Sequence, residues 1–393
     1  MPVYNVSRIG SVDNGYASEV SLAVIPDGTS AATATRNQNG YVELTLWNLL
    51  PGGAIQQAGQ ISADPQAGIK IAGIATEEYV TTGQSTHGGH IKSIFWRGPD
   101  NLGEGSAAQG QTASVVAFPI HFVLIPQTPP PPPGKPTQVA YPQGYLVATA
   151  HSTNTHHLRV TSWLAADVIN QGIGTLAAAN GGRAVATSIA AKRTYLTNAN
   201  LSSADVVTGT IDLGVLHLGA WRLHVEAMQP WSVEHLHGVV TSVEAQEVAI
   251  ATYPRDPAST LVTAVVTPDG NLQIIGWQMH DDGTFTQWLT ATSETASLVS
   301  CSWCTQSIVV TAFRDEAGKL KLIYWQFPAS ASDPQTINQI AHISASEPLP
   351  TGGVSVGHWR ANQTPANDLG ETLVGICAPS GNARVIRFHL TSS

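Results

Sequence analysis

Three features predict an all-β chain folded as a seven-bladed β-propeller of four-stranded antiparallel blades: an aromatic-ended strand motif that recurs seven times, the glycine turns that precede it, and its two-sided apolar pattern. The motif is clearest in Gly318-Lys319-Leu320-Lys321-Leu322-Ile323-Tyr324-Trp325. Other copies end at Trp47, Trp96, Trp163, Trp221, Trp277 and Phe388, at intervals of roughly fifty to seventy residues, the period of an array or a propeller.

Each aromatic-ended strand is the third of its blade. A β-rich run precedes it at 31–36, 80–84, 146–150, 206–211, 261–266, 308–313 and 373–377. The turns between the two carry Gly40, Gly89, Gly214, Gly270, Gly318 and Gly381, and Pro268-Asp269-Gly270-Asn271 is a strong hairpin signal. The third copy has His156-His157 where the glycine belongs. First strands are expected at 20–25, 69–76, 115–122, 184–190, 248–253, 298–304 and 354–359, and fourth strands are clearest at 54–61, 284–289 and 336–343.

Alternation inside the third strand decides the architecture. Leu320 and Leu322 share one face, while Ile323 and Trp325 share the other. A sheet apolar on both faces must be covered on both, as neighbouring blades do in a ring. The blades are expected at about 17–62, 68–111, 114–176, 183–241, 246–292, 297–345 and 353–393. The last lacks a fourth strand, and residues 1–11 are expected to complete it and close the ring.

Composition narrows the partners. Only 11% of residues are charged, the net charge is −9, and Lys and Arg form no cluster, which disfavours nucleic acid. No apolar run is long enough for a membrane-spanning helix, so no membrane partner is expected. Cys301 and Cys304 form a CxxC, but three residues apart on a strand they face opposite ways and read as buried thiols. The chain begins with no signal peptide, and low charge suits a secreted protein whose leader has been removed as well as a cytoplasmic one. A monomer or weak dimer is expected.

Long connections fall between the first and second strands, and in a meander ring these share one face. Residues 126–144 include five consecutive prolines at 129–133, and 192–204 and 360–371 are the other long segments. The proline run suits a stiff polyproline II loop walling the mouth of the pore. Around that mouth the ends of the first strands place His121, Phe122, Lys192, Arg193, Tyr195, Tyr253, Arg255, Trp303, His358, Trp359 and Arg360. Arg360, Arg255 and His358 are candidate catalytic donors that polarise a carboxylate, phenolate or carbonyl oxygen. Trp359, Trp303, Tyr253, His121, Phe122, Arg193 and Tyr195 are candidate substrate-binding residues.

Other constellations are weaker. His87, His90, His156 and His157 lie on hairpin turns of adjacent repeats, without a carboxylate, and no metal is expected there. His235-Leu236-His237 would put both rings on one face of its strand, in a structural role. Asp281-Asp282-Gly283 and Asp315-Glu316-Ala317-Gly318 read as turns. The chain carries no P-loop, dinucleotide fingerprint, nucleophile elbow or HExxH, and no cofactor is expected.

Residues 272–277 and 320–325 resemble the Gly-x-Leu-x-Leu-Ile-x-Trp core strand of bacterial and fungal propeller units. Propellers with seven such blades include sugar-binding lectins. They also include small-molecule enzymes, such as fungal hetero-Diels–Alderases of tropolone sesquiterpenoid pathways and the cylindrocyclophane-forming alkylating enzyme. No catalytic motif of either enzyme family matches residue by residue, so the resemblance bears on fold more than on function. Three readings follow. The first is a cofactor-independent biosynthetic enzyme for cyclisation, cycloaddition or C–C/C–O bond formation, with one pocket at the decorated mouth. Its ligand would be largely apolar or aromatic, with an acidic or carbonyl oxygen. The second is a carbohydrate-binding lectin, which predicts loop residues that repeat from blade to blade; here the core residues repeat and the loops do not. The third is a protein-interaction platform.

Overall fold

The computed structural model describes residues 3–25, 28–73, 79–86, 89–97, 100–109, 113–120, 125–126, 138–139, 144–166, 173–197, 200–224, 232–253, 260–328, 336–350, 352–359 and 367–393. The protein is all-β, built of four-stranded antiparallel sheets consistent with a β-propeller. Three sheets stand alone, and two further sheets of seven strands each join two repeats through one long strand. The linking strands, Ile55–Gly73 and Phe285–Trp303, each close one repeat and open the next. The sequence divides each of these into two strands, because a fourth strand and the following first strand carry separate apolar patterns. The backbone runs through the boundary, absorbing the change of partner in a register shift between Ser297 and Ser300, with Leu298 at φ +56°.

In the repeat that carries Trp325, Ile308–Asp315 pairs with Lys319–Gln326, which pairs with Asn338–Pro348. Tyr4–Tyr16 pairs antiparallel with Asn382–Ser392, so the first strand of the chain completes the sheet of the seventh repeat. It runs beyond the expected 1–11, to Tyr16, and backbone bonds between Val3 and Ser393 continue the ladder in both directions.

Both faces of the sheets are buried, each against a neighbouring repeat. Leu320, Leu322 and Tyr324 pack with Val374, Ile386 and Phe388 of the seventh repeat. Ile323 and Trp325, on the other face, pack with Val262, Leu272 and Ile274 of the fifth. The first and seventh repeats also share a core, in which Leu22, Ala31 and Trp47 meet Trp359, Leu373 and Val385.

The aromatic anchors have a second requirement. Six indole N–H groups are buried, and a buried donor needs an acceptor. Each finds a threonine on the preceding strand: Trp47 to Thr33, Trp96 to Thr82, Trp163 to Thr149, Trp221 to Thr208, Trp277 to Thr263 and Trp325 to Thr311, at 2.9–3.0 Å. In the seventh repeat the anchor is Phe388, which has no N–H, and the register puts Val374 at the threonine position. Donor and acceptor are absent together.

The turns between second and third strands need a residue at positive φ. Gly40, Gly89, Gly214, Gly270, Gly318 and Gly381 supply it at φ between +74° and +80°. In the third repeat His156 takes this place at φ +57°, with the same bonding as in five of the six glycine turns: His156 N–H to the Thr153 carbonyl at 2.8 Å. A histidine pays a steric penalty there that glycine does not. His156→Gly is therefore expected to stabilise the protein by about 0.5–1 kcal/mol, read as a raised denaturation midpoint with an unchanged slope.

Among the described residues the only helix is the short 3-10 turn Pro51–Gly53, and no helix is long and apolar enough to cross a membrane.

Candidate functional site

The residues expected at the mouth fall into separate environments. His121, Phe122, Arg255 and Arg360, together with the side chains of Arg193 and Tyr195, lie outside the described residues. Lys192 is buried and reaches the Thr260 carbonyl at 3.5 Å. Tyr253 and Trp303 meet edge to face at 6.0 Å, and Trp303 donates its indole N–H to the Ala251 carbonyl at 3.2 Å. Trp359 is buried in the core shared by the first and seventh repeats, with the Arg387 guanidinium 5.5 Å from its ring centre. Arg387 is in turn held by Glu371 and by the Leu50 carbonyl at 2.6 Å.

His358 is engaged at both ring nitrogens: Nδ1 lies 2.9 Å from Thr372 Oγ1, and Nε2 lies 2.9 Å from the Leu369 carbonyl. A carbonyl only accepts, so Nε2 carries the proton and Nδ1 accepts from the threonine hydroxyl. Tyr324 also hydrogen-bonds to Thr372, at 3.0 Å. His358 thus belongs to a partly buried polar chain that ties the sixth and seventh repeats.

A cleft lies elsewhere, between the third and fourth repeats. It encloses about 200 Å³ and is lined by Arg183, Thr210, His217, Trp221 and His235, with Gly181, Gly182, Gly219 and Gly238 in its walls. The glycines leave the space. Trp221 is seated so closely that a Cβ at Gly219 would stand 3.0 Å from its Nε1 and 2.8 Å from Thr208 Oγ1. By register the other repeats carry Thr45, Ile94, Thr161, Ile275, Ile323 and Ile386 at that place. Gly181 has the same relation to the indole from the facing repeat, its Cβ position 3.0 Å from Trp221.

A β-bulge aims His235 into this cleft. Gly219 pairs with Gly238, Ala220 with His237, and Trp221 with His235, so Leu236 is the extra residue. His235 therefore shares the face of Trp221 and His237 the opposite one. This corrects the expectation that both rings share a face, because simple alternation assumes a strand without bulges. The His235 ring stacks on Trp221 at 4.3 Å and 29°. His237 faces the fifth repeat, where a Cβ at Gly283 would lie 3.3 Å from its own. Burial lowers the pKa of His235, a hydrogen bond from the ring to the His237 backbone carbonyl opposes this, and the nearby His237 charge adds to the lowering. The neutral ring so favoured offers one donor and one acceptor.

The bulge is general. The register shifts at the anchor in every repeat, and the extra residues are Ala58, Leu102, Leu176, Leu236, Trp288, Ile340 and Ile9.

At the rim of the cleft, Arg183 Nε stands 3.8 Å from Asp212 Oδ1. That oxygen is buried without a hydrogen-bond partner, and the Arg183 side chain is 54% exposed. A donor and an acceptor face each other across a gap too wide for a direct bond.

No protein-family model and no curated protein matches the sequence. The solved structures similar to the chain include the SapL1 lectin in complex with α-methyl fucoside, at 11% identity and TM-score 0.45, covering 86% of this chain and 98% of that one. A mutant of the Aleuria aurantia lectin in complex with α-methyl-L-fucoside is similar at 9% identity and TM-score 0.44, covering 81% and 90%. A mutant of AofleA from Arthrobotrys oligospora is similar at 10% identity and TM-score 0.42, covering 88% and 92%. The first reading of the sequence, a cofactor-independent biosynthetic enzyme, is corrected: the similar structures include lectins, two of them with a fucoside bound.

Proposed function

We propose that the protein is a carbohydrate-binding β-propeller, with a sugar site in the cleft between its third and fourth repeats. The observation that carries this reading is the cleft itself: about 200 Å³ of glycine-walled space with Arg183, Thr210, His217 and His235 around it. A sugar ring presents an apolar C–H face and neighbouring hydroxyls that both donate and accept. His235 offers the first an exposed imidazole face, braced from behind by Trp221. Arg183 suits the second, because its largely exposed guanidinium donates to a hydroxyl oxygen at the rim.

We infer further that the seven repeats form seven blades in one ring, at about 17–62, 68–111, 114–176, 183–241, 246–292, 297–345 and 353–393 with 1–11. Pairing of the first and last strands and the core common to repeats one and seven support this closure. In a ring every cleft lies between two rigid blades, so binding needs little ordering of the protein.

A glycan array probed with the wild type and with Arg183→Ala tests the sugar reading. The wild type is expected to retain a defined set of glycans, with Arg183→Ala losing roughly tenfold or more in affinity, as for a charge-assisted hydrogen bond. Gly182→Phe is a second probe, because a Cβ there meets nothing within 4 Å and a side chain there is expected to narrow the cleft and weaken binding. An empty array overturns the reading.

A further inference from the structure

Among the described residues seven large apolar side chains stand exposed, and three of them, Val185, Leu213 and Val240, belong to the segments that form this cleft. Val240 lines it. Val185 follows Arg183 in the connection between the two repeats and donates its N–H to the Ile211 carbonyl at 2.8 Å. Leu213 is next to Asp212 and is 82% exposed. Single exposed aliphatics are ordinary, but three on the segments of one cleft are a concentration.

Leu213 also stands at a strained position. It forms a two-residue hairpin with Gly214, both at positive φ, +50° and +80°. That turn favours Asn-Gly, and a branched aliphatic residue fits it poorly. A leucine that strains its turn and points into water does nothing for folding, so its role is sought in what it meets.

On the reading of the cleft as a sugar site, we propose that its ligand is a glycoside with an apolar aglycone, the sugar held by Arg183 and His235 and the aglycone lying on Leu213, Val185 and Val240. Polar groups then sit at the floor and rim gap, and the apolar surface lies outside them, where the substituent of a bound sugar must leave the cleft.

The test compares methyl and hexyl glycosides of L-fucose, D-galactose and N-acetylglucosamine by calorimetric titration, below their micelle concentrations. The hexyl compound is expected to bind roughly tenfold or more tightly than the methyl compound of the same sugar, from the added apolar burial. In Leu213→Asn/Val185→Thr that ratio is expected to fall below about threefold; asparagine suits the turn, so this protein folds. Equal affinities for the two glycosides of a sugar that binds overturn the proposal and leave the sugar reading standing. A hexyl preference that survives the double substitution overturns it as well. Binding of no glycoside at all overturns both.

Discussion

Trp325→Ala is expected to destabilise the protein by about 3–5 kcal/mol, the usual cost of removing a large buried aromatic. The side chain is 2% exposed and joins the fifth and sixth repeats. Its indole N–H is the donor to Thr311, whose hydroxyl in turn lies 3.4 Å from the Ile323 carbonyl. The loss has two parts that separate experimentally. Trp325→Phe keeps most of the apolar contact but strips Thr311 of its donor, and should cost about 1–2 kcal/mol. Adding Thr311→Val reproduces the Phe388 and Val374 combination of the seventh repeat and should recover part of that cost, because neither partner then remains unpaired. Urea unfolding of the four proteins measures this as a double-mutant cycle. Additive single effects would show that the hydrogen bond contributes nothing beyond packing.

The second large effect is a pH dependence centred on His151. This residue is fully buried in the second strand of the third repeat, and neither ring nitrogen has a hydrogen-bond partner. Burial, with a smaller contribution from the Arg159 charge, pushes its pKa down to about 4. In the unfolded chain the ring titrates near 6.5, so between these values the unfolded state takes up a proton that the folded state refuses. The stability is fully present above about pH 6.5 and falls as the pH drops towards 4, by about 3 kcal/mol in all. His151→Gln, which copies Gln84 at the corresponding place in the second repeat, should flatten this part of the curve. Denaturant unfolding at several pH values from 7.5 to 4.5 gives both slopes, and parallel curves for the two proteins would refute the assignment. Asp13 acts at lower pH, because its hydrogen bond to Arg384 holds its carboxyl below the usual carboxylate range.

Much of the fold is legible in the sequence, because its signals are local and repeated. The anchors at Trp277 and Trp325, the turn glycines and the two-sided alternation all concern residues close in the chain. The threonine acceptors were equally legible in principle: in five of six repeats Thr33, Thr82, Thr149, Thr263 and Thr311 precede the anchor by the same interval, and only Thr208 is one residue closer. The aromatic end of the strand attracts notice and its partner on the neighbouring strand does not.

The candidate site was much less legible. His235 was visible as part of a two-histidine pair, but alternation assigned its face wrongly, because Leu236 bulges out of the ladder. The apolar residue at each bulge is the clue that could have located it. The cleft itself arises from glycines on three strands of two repeats, and no local pattern announces where missing side chains will coincide. At the mouth, sequence reasoning saw an enrichment of cationic and aromatic groups. It could not see that the His358 ring faces Thr372 and the Leu369 carbonyl, or that Trp359 is buried against the first repeat, because these partners are distant in the chain or across the sheet.

The most direct measurement is a calorimetric titration of the wild type and Arg183→Ala with the glycan that the wild type retains best. The account predicts saturable binding by the wild type, weakened roughly tenfold or more by the substitution at unchanged folding stability, since the Arg183 side chain is largely exposed. Equal affinity in the two proteins would contradict a sugar site between the third and fourth repeats.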